Sequence, residues 1–513
     1  QLYARADQMN KLTIIFLLLS LSAITVDSYY SLPNKYVGFD LNQRRLSSFP
    51  PKLSTRTTSV VSSPLDQRPS QTQLDQIYAK LDREILTVAV PAFFSLAADP
   101  LASIVDAIFV GRLGAVQQAA MGISISAQYS ISKLYNDPLL KTSTSIVAGK
   151  TGEELEASVA TCIATAIAIG TLQMLLFLFV GGPIMKVMGV GSLSEMRKPA
   201  LAYLRWRSIG IPAQTVVLVT NGIFRGRGDT RTPFYCTVLG SVVNIVLDPL
   251  FIFTFHMGCA GAGLATSISQ WVSAIPLLYL LHQNVPIKII GRDKDFYRSA
   301  FTAYLEAGGL LLLRTVAKIG AYAFTSSTAA RLGTIAMAAY SVTFNLGFAT
   351  SQLCESISIA AQALLARDYP YQTIEKKYSA GHIIRRSLWL GLLISGVLSC
   401  ATIYNQNNVL KQLTKSAEVF NAAKSIMPMV LITQLVKGLA YSTGGILLGG
   451  LDWLWSSLSM QIASVACIGT VLLLPHSLNS IWIGLANFMG FQVLVALFRL
   501  YSRKGPWQDV PLF

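Results

Sequence analysis

The chain has 513 residues, of which 52% are hydrophobic and 13% are charged. Its mean hydropathy is +0.50, which is far too apolar for a soluble protein of this length. This composition excludes the soluble globular classes and indicates an integral membrane protein.

The first eighty residues precede the apolar part of the chain. The first methionine is Met9, so the residues before it are interpreted as upstream translated sequence. From Met9, a lysine, an apolar core and small residues near Ser28 predict a signal peptide, and residues 1–28 are assigned to upstream residues plus this peptide. Residues 31–70 are rich in serine, threonine and basic residues, like a plastid transit peptide, and residues 29–80 are assigned to a transit-peptide-like, disordered leader.

The two-part leader is similar to the leaders of algae whose plastids lie inside additional membranes. It predicts a multi-pass protein of the plastid envelope. The alternative is a protein of the secretory pathway, in the plasma or vacuolar membrane, with a disordered tail.

Apolar runs follow the leader to the end of the chain. Each is about 20 residues long, the length that crosses a hydrocarbon core of about 30 Å as a helix. Helices are expected because a bilayer leaves unpaired backbone groups unsatisfied and the alternation typical of a β-barrel is missing. Twelve are predicted, at about residues 84–110, 118–140, 156–182, 199–223, 232–255, 260–283, 300–330, 335–362, 382–404, 424–449, 455–475 and 480–501.

Lysine and arginine residues are concentrated in the loops on the leader side of these helices. This distribution predicts that both ends of the membrane domain face the cytosol or its equivalent. It also accounts for much of the formal net charge of +16, so the lipid bilayer is the expected charged partner and nucleic acid is not. The six cysteines are scattered without a CxxC motif, and neither a metal site nor a disulfide framework is predicted.

Two pairs of segments repeat within the membrane domain. RLGAVQQAA matches RLGTIAMAA, and TNGIFRGRGDTRTPF resembles TGGILLGGLDWLWSS, with nearly equal spacing between the members of each pair. The repeat predicts two six-helix halves related by an axis along the membrane normal, which suits alternating access by rocking. The predicted units are residues 82–285, a linker at 286–299, residues 300–502 and a tail at 503–513.

Acidic residues lie inside the predicted first half. Asp99 and Asp106 are seven residues apart on one face of the first helix, and Asn244 and Asp248 are four apart on the fifth, followed by Pro249. An ionised carboxylate at the bilayer centre costs about 2.5 to 3.5 kcal/mol on insertion scales, so such residues are retained for a reason. The two faces are predicted to meet inside the bundle.

Two carboxylates facing each other in a low dielectric can hold one proton near neutral pH. If both are ionised, a sodium ion fits the oxygens of Asp106, Asn244 and Asp248. Either way the predicted site binds a coupling cation, H⁺ or Na⁺, and no cofactor is predicted. The structural alternative is that these acids cap broken helices or pair statically with Arg205 or Arg314.

Several stretches resemble the MATE (multidrug and toxic compound extrusion) family, specifically its DinF-like branch, over about residues 82–500. They are ADPLASIVDAIFVGRLG, FRGRGDTRTPFY, NIVLDPLFIF and GAGLATSISQ. The resemblance implies an all-α integral membrane protein with twelve transmembrane helices in two pseudo-symmetric six-helix bundles. It also implies secondary active export driven by protons or sodium.

The resemblance further implies a cation site in the first bundle. It comprises a helix 1 aspartate, a helix 4 tyrosine, the Asn and Asp of helix 5 and a helix 6 hydroxyl. The matching positions are Asp106, Tyr203, Asn244, Asp248 and Thr266. Asp99 lies where relatives carry a polar residue and is predicted to tune proton affinity or to touch substrate.

The second bundle supplies the candidate substrate cavity. Arg314 and Lys318 are four residues apart on the seventh helix, and Glu355 and Gln352 lie on the eighth. Buried cations facing a cleft attract anionic substrates, and the resemblance implies export of carboxylates by plant relatives. The alternative is an internal pair between Arg314 and Glu355. Glu306 is either an interfacial acid or a coupling residue.

The predicted function is a monomeric antiporter that exports small organic solutes, organic anions or xenobiotics, coupled to H⁺ or Na⁺. One alternative is a flippase for lipid-linked substrates, and another is a membrane receptor or enzyme. An enzyme is disfavoured because no nucleophile and base or metal motif is found, and a P-loop is also missing. The four histidines lie apart at helix ends, at His256, His282, His382 and His476.

Overall fold

A computed structural model describes residues 69–188, 190–191, 193–286, 294–414 and 416–512. The predicted signal peptide, most of the predicted leader and residues 287–293 of the predicted linker lie outside this range.

The described residues form helices and no β-strand. A π-helical turn, Leu250–Thr254, directly follows the sixth α-helix, and a 3₁₀ turn, Gly505–Trp507, follows the last. In chain order the α-helices are α1 (Gln71–Gly111), α2 (Ala115–Val147), α3 (Gly152–Val187), α4 (Arg197–Ser208), α5 (Ile211–Gly226), α6 (Arg231–Pro249), α7 (Cys259–Asn284), α8 (Lys294–Arg331), α9 (Thr334–Asp368), α10 (Ile374–Leu413), α11 (Ala417–Gly449), α12 (Trp453–Leu473) and α13 (Leu478–Tyr501).

Eight described segments are long and apolar enough, by length and composition, to cross a membrane. They are Gly152–Val187, Arg231–Thr254, Cys259–Asn284, Phe301–Arg331, Ile374–Lys411, Ala417–Gly449, Trp453–Leu473 and Leu478–Tyr501. Helices α1, α2 and α9 and the consecutive short helices α4 and α5 complete twelve helical passes. The predicted all-α fold with twelve passes is confirmed.

The fourth predicted span, at about 199–223, is crossed by two consecutive helices, α4 and α5, with a break at residues 209–210. Pro212, in the first turn of α5, has no N–H to donate to the carbonyl four residues earlier, at Ser208. Gly210, between α4 and α5, instead donates its backbone N–H to Ser267 Oγ on α7 at 3.1 Å. The break therefore lets the chain approach α7 closely.

Other helices extend beyond the predicted apolar spans. The first begins at Gln71 and not near residue 84, so residues 71–80, assigned from sequence to the leader, are helical. Ser70 and Gln73 form a capping box that fixes this start. The Ser70 hydroxyl accepts a hydrogen bond from the backbone N–H of Gln73, and the Gln73 side-chain oxygen accepts one from the backbone N–H of Ser70. Hydropathy identifies only the part of a helix that is immersed in hydrocarbon, whereas polar residues continue the helix outside it.

Two bundles with matching packing make up the membrane domain. In the first, α5 packs against α2, α3 and α7, and in the second, α11 packs against α9, α10 and α13. The two central helices, α5 and α11, are the ones that carry the repeated TNGIF and TGGIL segments. The sequence repeat and the packing therefore divide the chain in the same way.

Ion pairs join the bundles at the face where α1 begins, called the N face below. Glu84 accepts a hydrogen bond from Arg367 of the second bundle at 2.9 Å. Asp82 lies 3.0 Å from both His382 and Arg386. An apolar cluster that includes residues of α1, α9 and α10 lies beside these pairs.

Further bonds between the bundles lie deeper. Ser145 Oγ donates to the carbonyl of Leu448 at 3.0 Å, and Gln362 Nε2 donates to Ser145 Oγ at 2.9 Å. Near the middle of the helices, Lys318 Nζ donates to Asp137 at 2.7 Å. Within the described residues, the side-chain bonds between the bundles all lie between the N face and this depth. The conformation is therefore closed toward the N face.

The C-terminal segment docks on the second bundle. Trp507, Val510 and Leu512 are buried, and the Trp507 indole N–H donates to Asp452 at 3.1 Å. Arg499 of α13 donates to the same carboxylate at 2.7 Å. The tail predicted after the last helix therefore belongs to the N-face core.

Candidate functional site

A carboxylate pocket lies inside the first bundle, where α1 meets α6. Asp106 comes from α1 and Asn244 and Asp248 from α6, and their exposed fractions are only 7%, 4% and 0%. Asn244 Nδ2 donates to Asp106 Oδ1 at 2.7 Å and lies 3.4 Å from Asp248 Oδ2. One amide group thus bridges two carboxyl groups from different helices.

The end of α6 shapes this pocket. Asp248 is followed by Pro249, which lacks an N–H, and then by the π-helical turn Leu250–Thr254. Such wider turns are uncommon and often occur at functional sites. The helix therefore changes its winding directly after the carboxylate.

One oxygen of the pocket has no partner. Asp248 Oδ1 is buried and forms no hydrogen bond with any described residue. Leaving a buried acceptor unsatisfied costs about 1 to 3 kcal/mol, and more for a charged group. A proton on this carboxyl group, or a small cation beside it, would remove that cost.

Tyr203 and Thr266 are both buried in the same bundle. The Tyr203 hydroxyl accepts a hydrogen bond from Arg207 Nη1 at 3.0 Å, and the ring is close enough to the two aspartates to interact with them electrostatically. Thr266 Oγ1 donates to the carbonyl of Ala262 at 2.8 Å. Ser269, one turn further along α7, donates to Asn244 Oδ1 at 3.3 Å.

Two predicted site residues cannot be placed. The side chains of Asp99 and Gln352 lie outside the described part of the structure. The alternative of static pairing with Arg205 is wrong for Asp106 and Asp248, because Arg205 is exposed and no described ion pair joins it to either carboxylate.

A second charged site lies between the bundles. This interbundle cluster comprises Asp137 and Lys141 of α2, Arg314 and Lys318 of α8, and Glu355 of α9. Lys318 pairs with Asp137 at 2.7 Å, and Lys141 lies 3.7 Å from both Asp137 and Glu355. The alternative, a direct Arg314–Glu355 pair, is not formed, and Lys141 is the cation paired with Glu355.

Arg314 is the unpaired cation of the interbundle cluster. It is 6% exposed, its Nε is buried without a partner, and it forms no ion pair with a described residue. Arg225, buried at the end of α5, adds positive charge close to Glu355. The cluster therefore has more positive than negative charge.

The free space at the interbundle cluster is small in this conformation. A cavity of about 30 Å³ is lined by Lys141, Arg314, Lys318 and Glu355, with Tyr322 and Tyr441 beside them. A water molecule needs about 10 to 15 Å³ of such space, so this cavity admits water and excludes an organic anion.

Sequence reasoning missed three residues of these sites. Asp137 and Lys141 lie on α2, and Arg207 lies one helical turn after Tyr203 on α4. Charged residues within apolar spans were the available signal, and all three lie in or next to predicted spans. Glu306, in contrast, is exposed, which fits an interfacial acid.

The described residues contain no group of three or more His, Cys, Asp or Glu side chains that could hold a metal ion.

A helical membrane protein with two repeated bundles, a buried carboxylate pocket and a charged site between the bundles belongs to the class of multi-pass transporters. The MatE family model matches the chain twice, at residues 91–250 and 312–472. The chain therefore belongs to the MatE family, whose members are transporters of small organic substrates and not enzymes. The two matches correspond to the two bundles.

Curated relatives agree with this assignment. The chain is 34% identical over 483 residues to "Protein DETOXIFICATION 44, chloroplastic" of Arabidopsis thaliana, covering 90% of this chain and 89% of the relative. It is 23% identical over 437 residues to "DNA damage-inducible protein F" of Escherichia coli strain K12, covering 83% and 94%.

Solved structures share the fold. A MOP superfamily transporter from Pyrococcus furiosus aligns with a TM-score of 0.72 at 20% identity, covering 85% of this chain and 99% of that one. A MATE transporter of Vibrio cholerae aligns with a TM-score of 0.71 at 18% identity, covering 84% and 100%.

Proposed function

We propose that this protein is an antiporter that exports small organic anions in exchange for protons. The observation that carries the proposal is the pair of buried carboxyl groups, Asp106 and Asp248, held by one Asn244 amide. Two such groups cannot both stay ionised without a large desolvation cost, so the pocket is suited to take up and release a proton.

A proton is favoured over sodium by the orientation of Asn244. Its N–H₂ group faces both carboxyl groups, and its oxygen faces Ser269. Sodium is bound by oxygen ligands, so a donor in this position opposes it. Arg207, hydrogen-bonded to Tyr203 at the pocket, adds a positive charge that also disfavours a metal cation.

The coupling ion can be tested in vesicles that contain the purified protein. We expect an imposed pH gradient to drive export of an organic anion, with no stimulation by a sodium gradient at constant pH. The measurement is flux of a radiolabelled di- or tricarboxylate, with protein-free vesicles as the baseline. Stimulation by sodium alone would contradict proton coupling and leave a sodium site at the same residues.

The substrate class follows from the interbundle cluster. Asp137 and Glu355 are each paired with lysines, whereas the Arg314 guanidinium lies near both carboxylates but forms no direct ion pair with a described residue. A buried guanidinium without a carboxylate is stabilised by a substrate that supplies one, and its planar fork matches carboxylate geometry. An organic anion therefore fits this site better than an organic cation.

Alternating access explains how so small a cavity serves transport. The bundles are bonded from the N face down to the Asp137–Lys318 pair, and the space at the cluster is about 30 Å³. Substrate loading from the N face then requires these bonds to open and the bundles to rock apart. A single chain contains both the carboxylate pocket and the interbundle cluster, which supports a monomer as the working unit.

The proposed location is the plastid envelope. Support comes from the predicted two-part leader and from two relatives in Arabidopsis thaliana whose names include the word chloroplastic.

A fluorescent reporter fused after residue 80 tests this location. We expect the fusion to enter the plastids of an alga with additional plastid membranes, because the leader contains both a signal peptide and a transit-like segment. The readout is overlap with chlorophyll fluorescence, and a fusion lacking residues 9–28 is the control, expected to remain outside. A signal at the plasma or vacuolar membrane would overturn the assignment.

A further inference from the structure

A basic cleft opens on the N face, away from both sites described above. Its volume is about 540 Å³. Three parts of the chain form its walls: the start of α1, the turn after α5, and the end of α9. The lining residues are Gln76, Ala79, Lys80, Arg83, Glu84, Thr87, Val88, Arg227, Gly228, Leu364 and Arg367.

The cleft contains more positive charge than its single acid can balance. Glu84 is bonded to Arg367 at 2.9 Å. Lys80, Arg83 and Arg227 are exposed, and none of their side chains forms a hydrogen bond or ion pair with a described residue. Three cations therefore face one cleft with their donors available.

Loop topology alone does not account for this arrangement. The positive-inside rule explains why basic residues occur on one side of a membrane protein, but not why they converge on a walled space. Arg83 lies on α1 and Arg227 follows α5, so the fold brings together charges that are distant in sequence. Guanidinium and ammonium groups around such a space recognise phosphate through charge-assisted hydrogen bonds.

We propose that this cleft binds a phosphate-bearing anion at the N face and that the bound anion holds the two bundles closed there. Lys80, Arg83 and Arg227 belong to the first bundle, whereas Leu364 and Arg367 belong to the second. When the bundles rock apart, the wall formed by α9 moves away. A ligand that binds only the complete cleft stabilises the closed conformation by its differential affinity.

Anion binding in the cleft does not depend on the proposed export. The effect of the bound anion on the conformation, in contrast, rests on the proposed alternating access. Two sources of phosphate are compatible with the cleft: a soluble phosphate or diphosphate, and the headgroup of an anionic phospholipid. The experiment therefore uses inorganic pyrophosphate and phosphatidylglycerol as separate probes.

The test variant is Arg83→Gln with Arg227→Gln. Both side chains are exposed and have no described partner, so the fold should be unaffected. Arg231→Gln with Lys376→Gln is the matched control, because these side chains are also exposed, lie toward the N face and do not line the cleft. It removes the same charge.

Pyrophosphate binding is measured by calorimetry on protein in phosphatidylcholine nanodiscs. Lipid binding is measured as the gain in melting temperature when phosphatidylglycerol replaces part of the phosphatidylcholine. We expect at least one probe to bind the wild type and the control alike, and the test variant to bind it about tenfold or more weakly. A response to pyrophosphate assigns a soluble ligand, and a response to phosphatidylglycerol alone assigns a lipid headgroup.

Equal binding by the wild type and the test variant, or no response to either probe, would overturn the proposal. The effect on conformation is read separately, from gradient-driven export with and without the probe that binds. We expect that probe to slow export by the wild type and not by the test variant. Because the binding measurement uses no gradient, its result distinguishes failure of the cleft proposal from failure of the proposed export.

Discussion

Asp248→Asn is expected to weaken proton-driven export strongly while leaving the protein folded in the membrane. The substitution keeps the shape of the side chain but removes the carboxyl group that is proposed to take up and release the proton. Coupling free energies between two ligands of one protein are typically about 1 to 3 kcal/mol, so we expect driven flux to fall by about 5- to 150-fold. The measurement is flux in vesicles under an imposed pH gradient.

The control for this variant is Glu306→Gln, which removes an exposed carboxylate from α8 of the second bundle. It is expected to retain wild-type flux. Melting temperature should be unchanged or higher in Asp248→Asn, because Asp248 is fully buried with one unsatisfied oxygen and an amide carries no charge to desolvate. Full proton-driven flux in Asp248→Asn would refute the coupling role of the carboxylate pocket.

Much of the fold could be predicted from hydropathy and the internal repeat. The two bundles follow from apolar runs of membrane length and from the repeated segments that lie on α5 and α11. Gly210 and Pro212 mark the break in the fourth span, but the partner of the Gly210 N–H, Ser267 of α7, depends on how the helices pack and could not be read from the sequence. Helix ends were missed because polar residues outside the hydrocarbon carry no hydropathy signal.

The carboxylate pocket was predicted more completely than the interbundle cluster. Asn244 and Asp248 share one helical face, so spacing alone placed them together, and a proline follows them. The partners of Arg314 and Glu355 depend on how the bundles are docked. Lys141 pairs with Glu355 across the interface, a contact that no spacing within α2 or α9 indicates.

In the proposed mechanism, separation of the bundles connects the two sites. Lys318 and Asp137 join α8 to α2 near mid-depth, and Arg367 and Glu84 join α9 to α1 at the N face. Asp106 lies on α1, the same helix as Glu84. Under the proposed mechanism, a change of protonation in the carboxylate pocket acts on a helix that also holds the N face closed, which offers a physical route from proton binding to opening.

Arg314→Gln is expected to weaken export of organic anions selectively. Glutamine keeps polar atoms at the site but removes the unpaired positive charge of the interbundle cluster, while Asp137 and Glu355 keep their lysine partners. A hydrogen bond to a charged group contributes about 1.5 to 3 kcal/mol, which corresponds to about a 10- to 150-fold loss of anion flux at low substrate concentration. The measurement compares a tricarboxylate with an organic cation in the same vesicles.

Arg298→Gln is the matched control, since it removes an exposed arginine from the same helix, and it should leave both fluxes unchanged. Arg314→Lys retains the charge without the planar fork and is expected to recover part of the anion flux. A purely structural role for Arg314 predicts a different result, in which Arg314→Gln lowers the flux of anions and cations equally together with the melting temperature. Selective loss of anion flux at unchanged melting temperature distinguishes substrate recognition from packing.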